Sequence, residues 1–160
     1  MAKEMNVKHR NVMLELIKNS RTSDKEIAKR LGYSQPTVTR IRTKLETQGY
    51  ILKYCLIPNF KKMGFELASV ISFSSSKHEV GIAKKAVEWA MKNKSVIFAS
   101  RGEGFEGRTH LVISIHRNYT EYDKFIKEFR ETWIKHGLIN LTTFLVPLHL
   151  VVKELKFDVF

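Results

Sequence analysis

The chain has 160 residues, enough for one domain or two small ones. Hydrophobic residues make up 43% of it and aromatic residues 11%, so an intrinsically disordered protein is excluded. The sequence contains no run of about 18 apolar residues, the length of a membrane-spanning helix. Its first residues, MAKEMNVKHR, lack the apolar core of a signal peptide, so we expect a cytoplasmic protein without a membrane partner.

The positive charge is concentrated in the first part of the chain. The formal net charge is +12 at pH 7. Residues 1–64 hold 14 Lys and Arg against 5 Asp and Glu, a net charge of +9. Residues 65–160 hold 14 against 11, a net charge of +3. Because such a field attracts polyanions, the asymmetry predicts an N-terminal domain that binds one, with an acidic membrane or a role in solubility as alternatives.

Two helices are predicted before Gly32. Residues 7–19 carry apolar side chains at the spacing of one buried helical stripe. Ser23, followed three residues later by Glu26, forms a capping box that opens the second helix. Gly32 ends that helix, since glycine readily adopts the left-handed conformation of a C-terminal cap.

A third helix is predicted between Ser34, its N-terminal cap, and Gly49. Pro36 lies in its first turn, where proline loses no needed hydrogen bond. The second and third helices, joined by a tight turn, form a helix-turn-helix. The next segment, YILKYCLIPN, is rich in strand-forming residues and predicts a strand or wing in which Cys55 is a small core residue. A single cysteine excludes an internal disulfide.

The third helix has one apolar side, formed by Val38, Ile41 and Leu45, and is polar elsewhere. In a helix-turn-helix the second helix of the pair enters the major groove, where Arg can pair with guanine and Gln with adenine. The residues better placed to contact phosphate are Lys29, Arg30, Arg42 and Lys44. The candidate DNA-binding residues are Ser34, Gln35, Pro36, Thr37, Thr39, Arg40, Arg42, Thr43 and Lys44.

The alternative for this polar side is an ordinary solvated helix face. Solvated faces usually mix both signs of charge. Here Glu46 is the one acidic residue between Ala28 and Phe65. The scarcity of acids therefore favours contact with DNA.

The second half of the chain predicts the order strand, helix, strand, strand, helix, strand. The first helix, KHEVGIAKKAVEWAMKNK, is expected to bury Val80, Ala83, Val87 and Ala90. The second begins with a capping pair, Thr120 and Asp123, and its apolar stripe is Tyr122, Phe125, Ile126, Phe129 and Trp133. This β-α-β-β-α-β order is the ferredoxin-like unit, an antiparallel sheet with both helices on one face. The fold class is therefore α+β, with an N-terminal winged helix-turn-helix.

The histidines invite a metal or catalytic interpretation. His110 and His116 are six residues apart on a predicted strand and hence share a face. We expect that face to be the open side of the sheet and Leu111, Ile113 and Ile115 to meet the helices. No Cys/His spacing matches a common zinc site and no nucleophile–base pair is evident, so we expect no cofactor, no metal and no enzymatic activity.

The segment NSRTSDKEIAKRLGYSQPTVTRIRTKLETQGYI resembles the DNA-binding region of the Lrp/AsnC, or feast/famine, transcription regulators. IPNFKKMGFE is similar to the family's hinge, and the six elements after it match the order of the regulatory domain. The resemblance implies a DNA-binding domain over residues 1–57, a hinge over 58–65 and an oligomerisation domain over 66–160. It also implies double-stranded DNA as partner, a homodimer or higher oligomer, partly palindromic operators and an amino-acid-like effector.

The effector loop implied by the resemblance falls between the second and third strands of the C-terminal unit. Its candidate residues here are Arg101, Gly102, Glu103 and Gly104. This sequence departs from the family pattern, since Arg108 and Thr109 occupy the region where the family has an acid. A plain hairpin turn is therefore an open alternative.

A second function is compatible with the same layout. Sirohaem decarboxylases share the two-domain arrangement, and a fold does not determine a function. The histidine- and arginine-bearing motif of those enzymes is not recognisable in IPNFKKMGFELASVISF. DNA binding also explains the basic third helix, which an enzyme would leave without a role.

Overall fold

A computed structural model of the chain describes residues 5–76 and 80–153. These residues divide into two compact units, 5–57 and 58–153. Each unit has its own cluster of buried apolar side chains.

The N-terminal unit consists of three helices, α1 (Val7–Lys18), α2 (Asp24–Leu31) and α3 (Gln35–Thr47). Ser23 caps α2 and accepts a hydrogen bond from the backbone N–H of Glu26, and Gly32 ends the helix with φ +67°. The predicted helices are confirmed. Their shared core consists of Val12, Leu16, Ile27, Ala28, Val38, Ile41 and Leu45.

The segment after α3 does not form the predicted strand. Residues 51–58 have no regular secondary structure, and the side chain of Leu52 is 90% exposed. A strand needs a neighbour to pair its backbone groups, and none of the described strands pairs with this segment. Cys55 is exposed, so its assignment to the core is wrong.

The C-terminal unit contains one four-stranded antiparallel sheet and two helices. The strands lie in the order β2-β3-β1-β4, and each neighbouring pair is antiparallel. The predicted β-α-β-β-α-β order and α+β class are confirmed. The elements are β1 (Leu67–Ser75), α4 (Val80–Lys92), β2 (Val96–Arg101), β3 (His110–His116), α5 (Tyr119–Ile134) and β4 (Leu138–Pro147).

Helix α5 buries the predicted stripe but starts differently. Its N-terminal cap is Asn118, whose side chain accepts from the backbone N–H of Glu121, so the predicted Thr120–Asp123 cap is wrong. The Asn118 amide oxygen satisfies an orphan N–H group at the start of the helix, and Thr120 already lies inside the first turn. The buried residues of the stripe are Tyr122, Phe125, Ile126, Phe129 and Trp133.

Helix α4 faces the core with a different side from the one predicted. Ile82, Ala86 and Trp89 pack against the core, and the Trp89 ring lies 5.3 Å from that of Phe129. Val87 is 63% exposed. Both stripes have helical spacing, and the large indole decides between them because it fills the space beside the α5 aromatics. Of the predicted helix, residues 77–79 and the side chain of Val80 lie outside the described residues.

The histidines of β3 lie on the helix side of the sheet, so the predicted orientation of this strand is wrong. The His116 ring contacts the rings of Tyr122 and Phe125, with centroid distances of 5.6 and 5.0 Å. The His110 ring stacks on Phe73 at 4.8 Å. Polar residues can occupy this face because their hydrogen-bonding groups find partners there.

The other face of the sheet is apolar. Opposed residues of antiparallel strands share a face, and Val70 is paired with Ile113 on β3 and with Phe144 on β4. Phe144 is 69% exposed and Phe98, which is paired with Ile113, is 48% exposed. The apolar residues of this open sheet face are Ala68, Val70, Phe98, Leu111, Ile113, Ile115, Phe144 and Val146.

A chain of buried polar groups runs through the helix side of the sheet. The hydroxyl oxygens of Ser69 and Ser114 are 2.6 Å apart, and Ser114 Oγ is 2.9 Å from His116 Nε2. The side chain of His116 is 1% exposed. Burial lowers the pKa of His116 below its usual value, and the carboxylate of Glu121 opposes that shift in part.

We expect acid to destabilise the C-terminal unit through His116. Its pKa is lower in the folded than in the unfolded chain, so the unfolded chain binds more protons below about pH 6.5. The contribution of this histidine is therefore complete above that pH and is lost as the pH falls toward the folded pKa. Urea unfolding between pH 5 and pH 8 should show a pH slope that His116→Gln reduces. An unchanged slope in the variant would contradict this expectation.

Candidate DNA-binding surface

The three-helix core presents one side of α3 to solvent. Val38, Ile41 and Leu45 are buried against α1 and α2. Ser34 caps the helix and accepts from the N–H of Thr37. The nine candidate DNA-binding residues therefore all lie on this helix or its cap, and all except Thr37 and Arg42 are exposed.

Three of the four threonine hydroxyls of α3 donate their protons within the protein. Thr43 Oγ1 donates to the carbonyl oxygen of Thr39 at 3.1 Å, and Thr47 Oγ1 to that of Lys44 at 3.2 Å. Thr39 Oγ1 lies 3.1 Å from the Gln35 carbonyl oxygen and 2.7 Å from Asp24 Oδ2. These hydroxyls can therefore accept a hydrogen bond from a base, and their methyl groups can contact thymine.

The two arginines of α3 have different surroundings. Arg42 Nε lies 2.7 Å from Asp24 Oδ1, and its Nη2 donates to the carbonyl oxygen of Thr22 at 2.9 Å. Among the described residues, Arg40 has no hydrogen-bond or ion-pair partner, and it is exposed. Arg42 thus holds α3 against the start of α2, whereas the Arg40 guanidinium is available to a ligand.

Lys29 and Arg30, the two residues of α2 predicted to contact phosphate, also have different surroundings. Arg30 forms ion pairs with Glu15 and Glu26, while Lys29 is exposed. An arginine held by two carboxylates is less available to a phosphate than a solvated lysine. Lys29 is therefore the better candidate on α2 for a contact with phosphate.

An open groove of about 470 Å³ lies between α1 and α3. Three residues at the start of α1, Asn6, Lys8 and His9, line one side of it. Thr37, Arg40, Ile41 and Lys44 of α3 line the other. The sequence interpretation missed the α1 residues. One signal for them existed, since the first turn of α1 contains no acid, although acids are favoured there.

Residues 5–51 match a family of winged helix-turn-helix DNA-binding domains. An HTH-type transcriptional regulator of Pyrococcus horikoshii is 27% identical over 126 residues, which are 78% of this chain and 80% of the relative. An AsnC family transcriptional regulator from Agrobacterium tumefaciens has a similar structure, with a TM-score of 0.79, 18% identity, and coverage of 96% of this chain and 94% of that one. The chain has the Lrp/AsnC fold. The fold that the resemblance implies is confirmed.

A second similar structure is that of an amino-acid complex. A transcriptional regulator from Neisseria meningitidis, described as a complex with L-Met, has a TM-score of 0.81 and 16% identity to this chain. The match covers 97% of this chain and 96% of that one.

The loop after β2 is tightly folded against its own return segment. The N–H of Gly102 donates to the carbonyl oxygen of Thr109 at 3.0 Å. A Cβ atom at Gly104 would collide with the carbonyl oxygen of Arg108, so this position requires glycine. Arg101 and Glu103 are exposed. The four effector candidates, Arg101 to Gly104, thus form one side of this folded-back loop.

Arg108 attaches this loop to β4. Its Nε donates to the carbonyl oxygen of Asn140 at 3.0 Å, and its Nη2 donates to Thr142 Oγ1 at 2.7 Å. Asn140 has φ +53° at an irregularity in the pairing of β1 with β4. The arginine that departs from the family pattern thus has a structural role here.

Among the described residues, no cluster of three or more His, Cys, Asp or Glu side chains could hold a metal ion. None of the described helices combines the length and apolar character needed to cross a bilayer.

Proposed function

We propose that the protein is a cytoplasmic transcription regulator that binds specific double-stranded DNA sequences as a homodimer or larger homo-oligomer. The observation that carries the proposal is the solvent-exposed side of α3, where the unpartnered Arg40 lies beside acceptor threonines on a helix-turn-helix. The match to a DNA-binding domain and the regulator from Pyrococcus horikoshii support it.

The exposed side of α3 has groups suited to base edges. Arg40 can donate two hydrogen bonds to guanine, and Gln35 can pair with adenine. Thr39 and Thr43 accept from cytosine or adenine amino groups or contact thymine methyl groups. Ser34, Pro36 and Thr37 form the helix start, where the backbone approaches the duplex, and Lys44 meets phosphate. Arg42 keeps the helix in position through Asp24 and does not read bases.

The open sheet face supports assembly with a second copy. It is a contiguous apolar surface that includes the exposed rings of Phe98 and Phe144. Large exposed apolar patches are typical of protein interfaces. A two-fold dimer would present two α3 helices to half-sites about one helical turn apart, or a multiple of it.

A small effector, such as an amino acid, is proposed to bind at Arg101, Gly102, Glu103 and Gly104. The exposed guanidinium of Arg101 suits a carboxylate and Glu103 suits an amino group. The L-Met complex of the Neisseria regulator supports an amino acid as ligand. Repeating DNA titrations with and without an amino-acid mixture tests this proposal, since a ligand that binds both states equally leaves the affinity unchanged.

We further propose that the protein is not an enzyme. The Pyrococcus horikoshii relative is an HTH-type transcriptional regulator, which favours regulation over tetrapyrrole chemistry. The absorbance of the purified protein tests this directly. A bound tetrapyrrole, visible as a Soret band, would favour the sirohaem-type enzyme instead.

Arg40→Ala and Lys44→Ala should weaken DNA binding in different ways. Arg40→Ala is expected to lower the affinity for the selected site by about 1–3 kcal/mol and to relax the preference at one base pair per half-site. Lys44→Ala should weaken all duplexes alike and flatten the salt dependence, because a phosphate contact carries no sequence information. Selection from a random duplex pool, followed by titrations of both variants, measures the two effects.

The comparison of selected and random duplexes separates the two roles. Equal losses on both duplexes for Arg40→Ala would refute its assignment as a base reader. Arg40→Lys is the matched variant, because it keeps the charge and loses the two-pronged geometry. It should retain binding to random duplex while losing preference for the selected site.

A further inference from the structure

The groove between α1 and α3 brings positive side chains from two helices together. Lys8 and His9 come from the first turn of α1, and Arg40 and Lys44 come from α3. Among the described residues that line the groove, none is acidic. Three permanent positive charges and a histidine therefore surround one space without a carboxylate to balance them.

The described acids of the N-terminal unit are engaged elsewhere. Glu15 pairs with Lys18 and Arg30, and the hydrogen bonds that it accepts from these two residues lower its pKa. Asp24 pairs with Arg42, and Glu26 with Arg30. The fourth, Glu46, accepts from the Tyr54 hydroxyl at 2.6 Å. None of these four carboxylates pairs with Lys8, Arg40 or Lys44, so the cations of the groove stay available to an external anion.

Lys8 is also held near the beginning of α3. Its ammonium nitrogen lies 5.7 Å from the centre of the Tyr33 ring, in the turn that precedes the helix. The hydroxyl of Tyr33 accepts from the side-chain amide of Asn11 on α1 at 3.4 Å. These contacts join the start of α1 to the turn and place the positive charge of Lys8 beside the reading helix.

We infer that the groove holds a sugar-phosphate strand of the duplex, with Lys8 and His9 on α1 donating hydrogen bonds to its phosphates. The inference rests on the proposed function. A helix in the major groove is flanked by the two backbone strands, and a channel directly beside α3 meets one of them. Lys44 faces the same strand from α3. Arg40 borders both the groove and the base-reading side, and its long side chain reaches the bases.

Salt titrations of Lys8→Ala test this inference. Each phosphate contact contributes about 0.9 to the slope of log affinity against log salt concentration. We expect Lys8→Ala to reduce that slope by about this amount, equally on the selected and the random duplex, without changing base preference. Lys8→Arg should restore the slope. His9→Ala should weaken both duplexes by the same factor.

Lys124→Ala is the matched control, because it removes one exposed lysine from α5 in the C-terminal unit. It should keep the wild-type slope. If Lys8→Ala also kept that slope, on a duplex that Arg40→Ala weakens, the groove would not hold the backbone and the proposed function would stand. If the wild-type protein bound no duplex, both would fall. Lys8 is an exposed helix residue, so alanine should preserve the fold, and thermal unfolding verifies this.

Discussion

Replacing Phe144 with aspartate is expected to convert the protein into a monomer. Phe144 lies on the open sheet face and is 69% exposed, so its replacement should spare the fold of a single chain. In a sheet-to-sheet dimer the same change would bury a carboxylate in an apolar contact, which is strongly unfavourable. Loss of the second half-site contact should lower the affinity for a palindromic duplex by roughly 10²–10⁴-fold. Analytical ultracentrifugation and DNA titration measure the two effects.

Val87→Asp provides the matched control. Val87 is also an exposed apolar residue of the C-terminal unit, at 63%, but it lies on α4 and not on the open sheet face. This variant should sediment as wild type does. A dimeric Phe144→Asp protein together with a monomeric Val87→Asp protein would move the interface from the sheet to the helices.

Phe129→Ala is expected to destabilise the C-terminal unit by about 3–5 kcal/mol, because it leaves a cavity among packed aromatic rings. Phe129 is 2% exposed, and its ring lies 5.4 Å from that of Phe73 and 5.3 Å from that of Trp89. We propose that the two units unfold separately, since the apolar clusters at their centres share no residue. Scanning calorimetry should then show two transitions, and Phe129→Ala should lower the transition temperature of the C-terminal unit only.

Leu45→Ala tests the other unit with a comparable change. Leu45 is fully buried in the three-helix core, and its truncation should cost about 2–5 kcal/mol. Leu45→Ala is expected to lower the transition temperature of the N-terminal unit. At equal protein concentration it should leave the transition of the C-terminal unit in place. A single transition that both variants lower would show that the chain unfolds as one cooperative unit, against the proposed domain division.

Most local elements of this protein could be predicted from its sequence, apart from the strand expected after α3 and the N-terminal cap of α5. Ser23 and Ser34 cap helices as expected, and Gly32 ends one in the left-handed conformation. The buried residues of α3 and α5 were also predicted, because each helix has a single continuous apolar stripe. When a helix has only one apolar stripe, its neighbouring residues are sufficient to predict which side is buried.

The orientations of α4 and β3 could not be predicted in the same way. Both elements have apolar residues on two sides, and periodicity shows that a face exists without showing what covers it. On β3 the hydrogen bonds among Ser69, Ser114 and His116 allow the polar side to be buried. The bond between Ser69 and Ser114 joins residues 45 positions apart, so no local window of sequence contains it.

Some features of the candidate DNA-binding surface could likewise be predicted from the sequence, and others could not. The sequence by itself determined that α3 is a capped, basic helix with its apolar side buried, because capping and helical spacing depend on near neighbours. The tertiary structure alone decided that Asp24 engages Arg42, that Arg40 stays available, and that Lys8 lies beside α3. Charges can be counted along a chain, but their pairing depends on distances in space that only the packing of the helices determines.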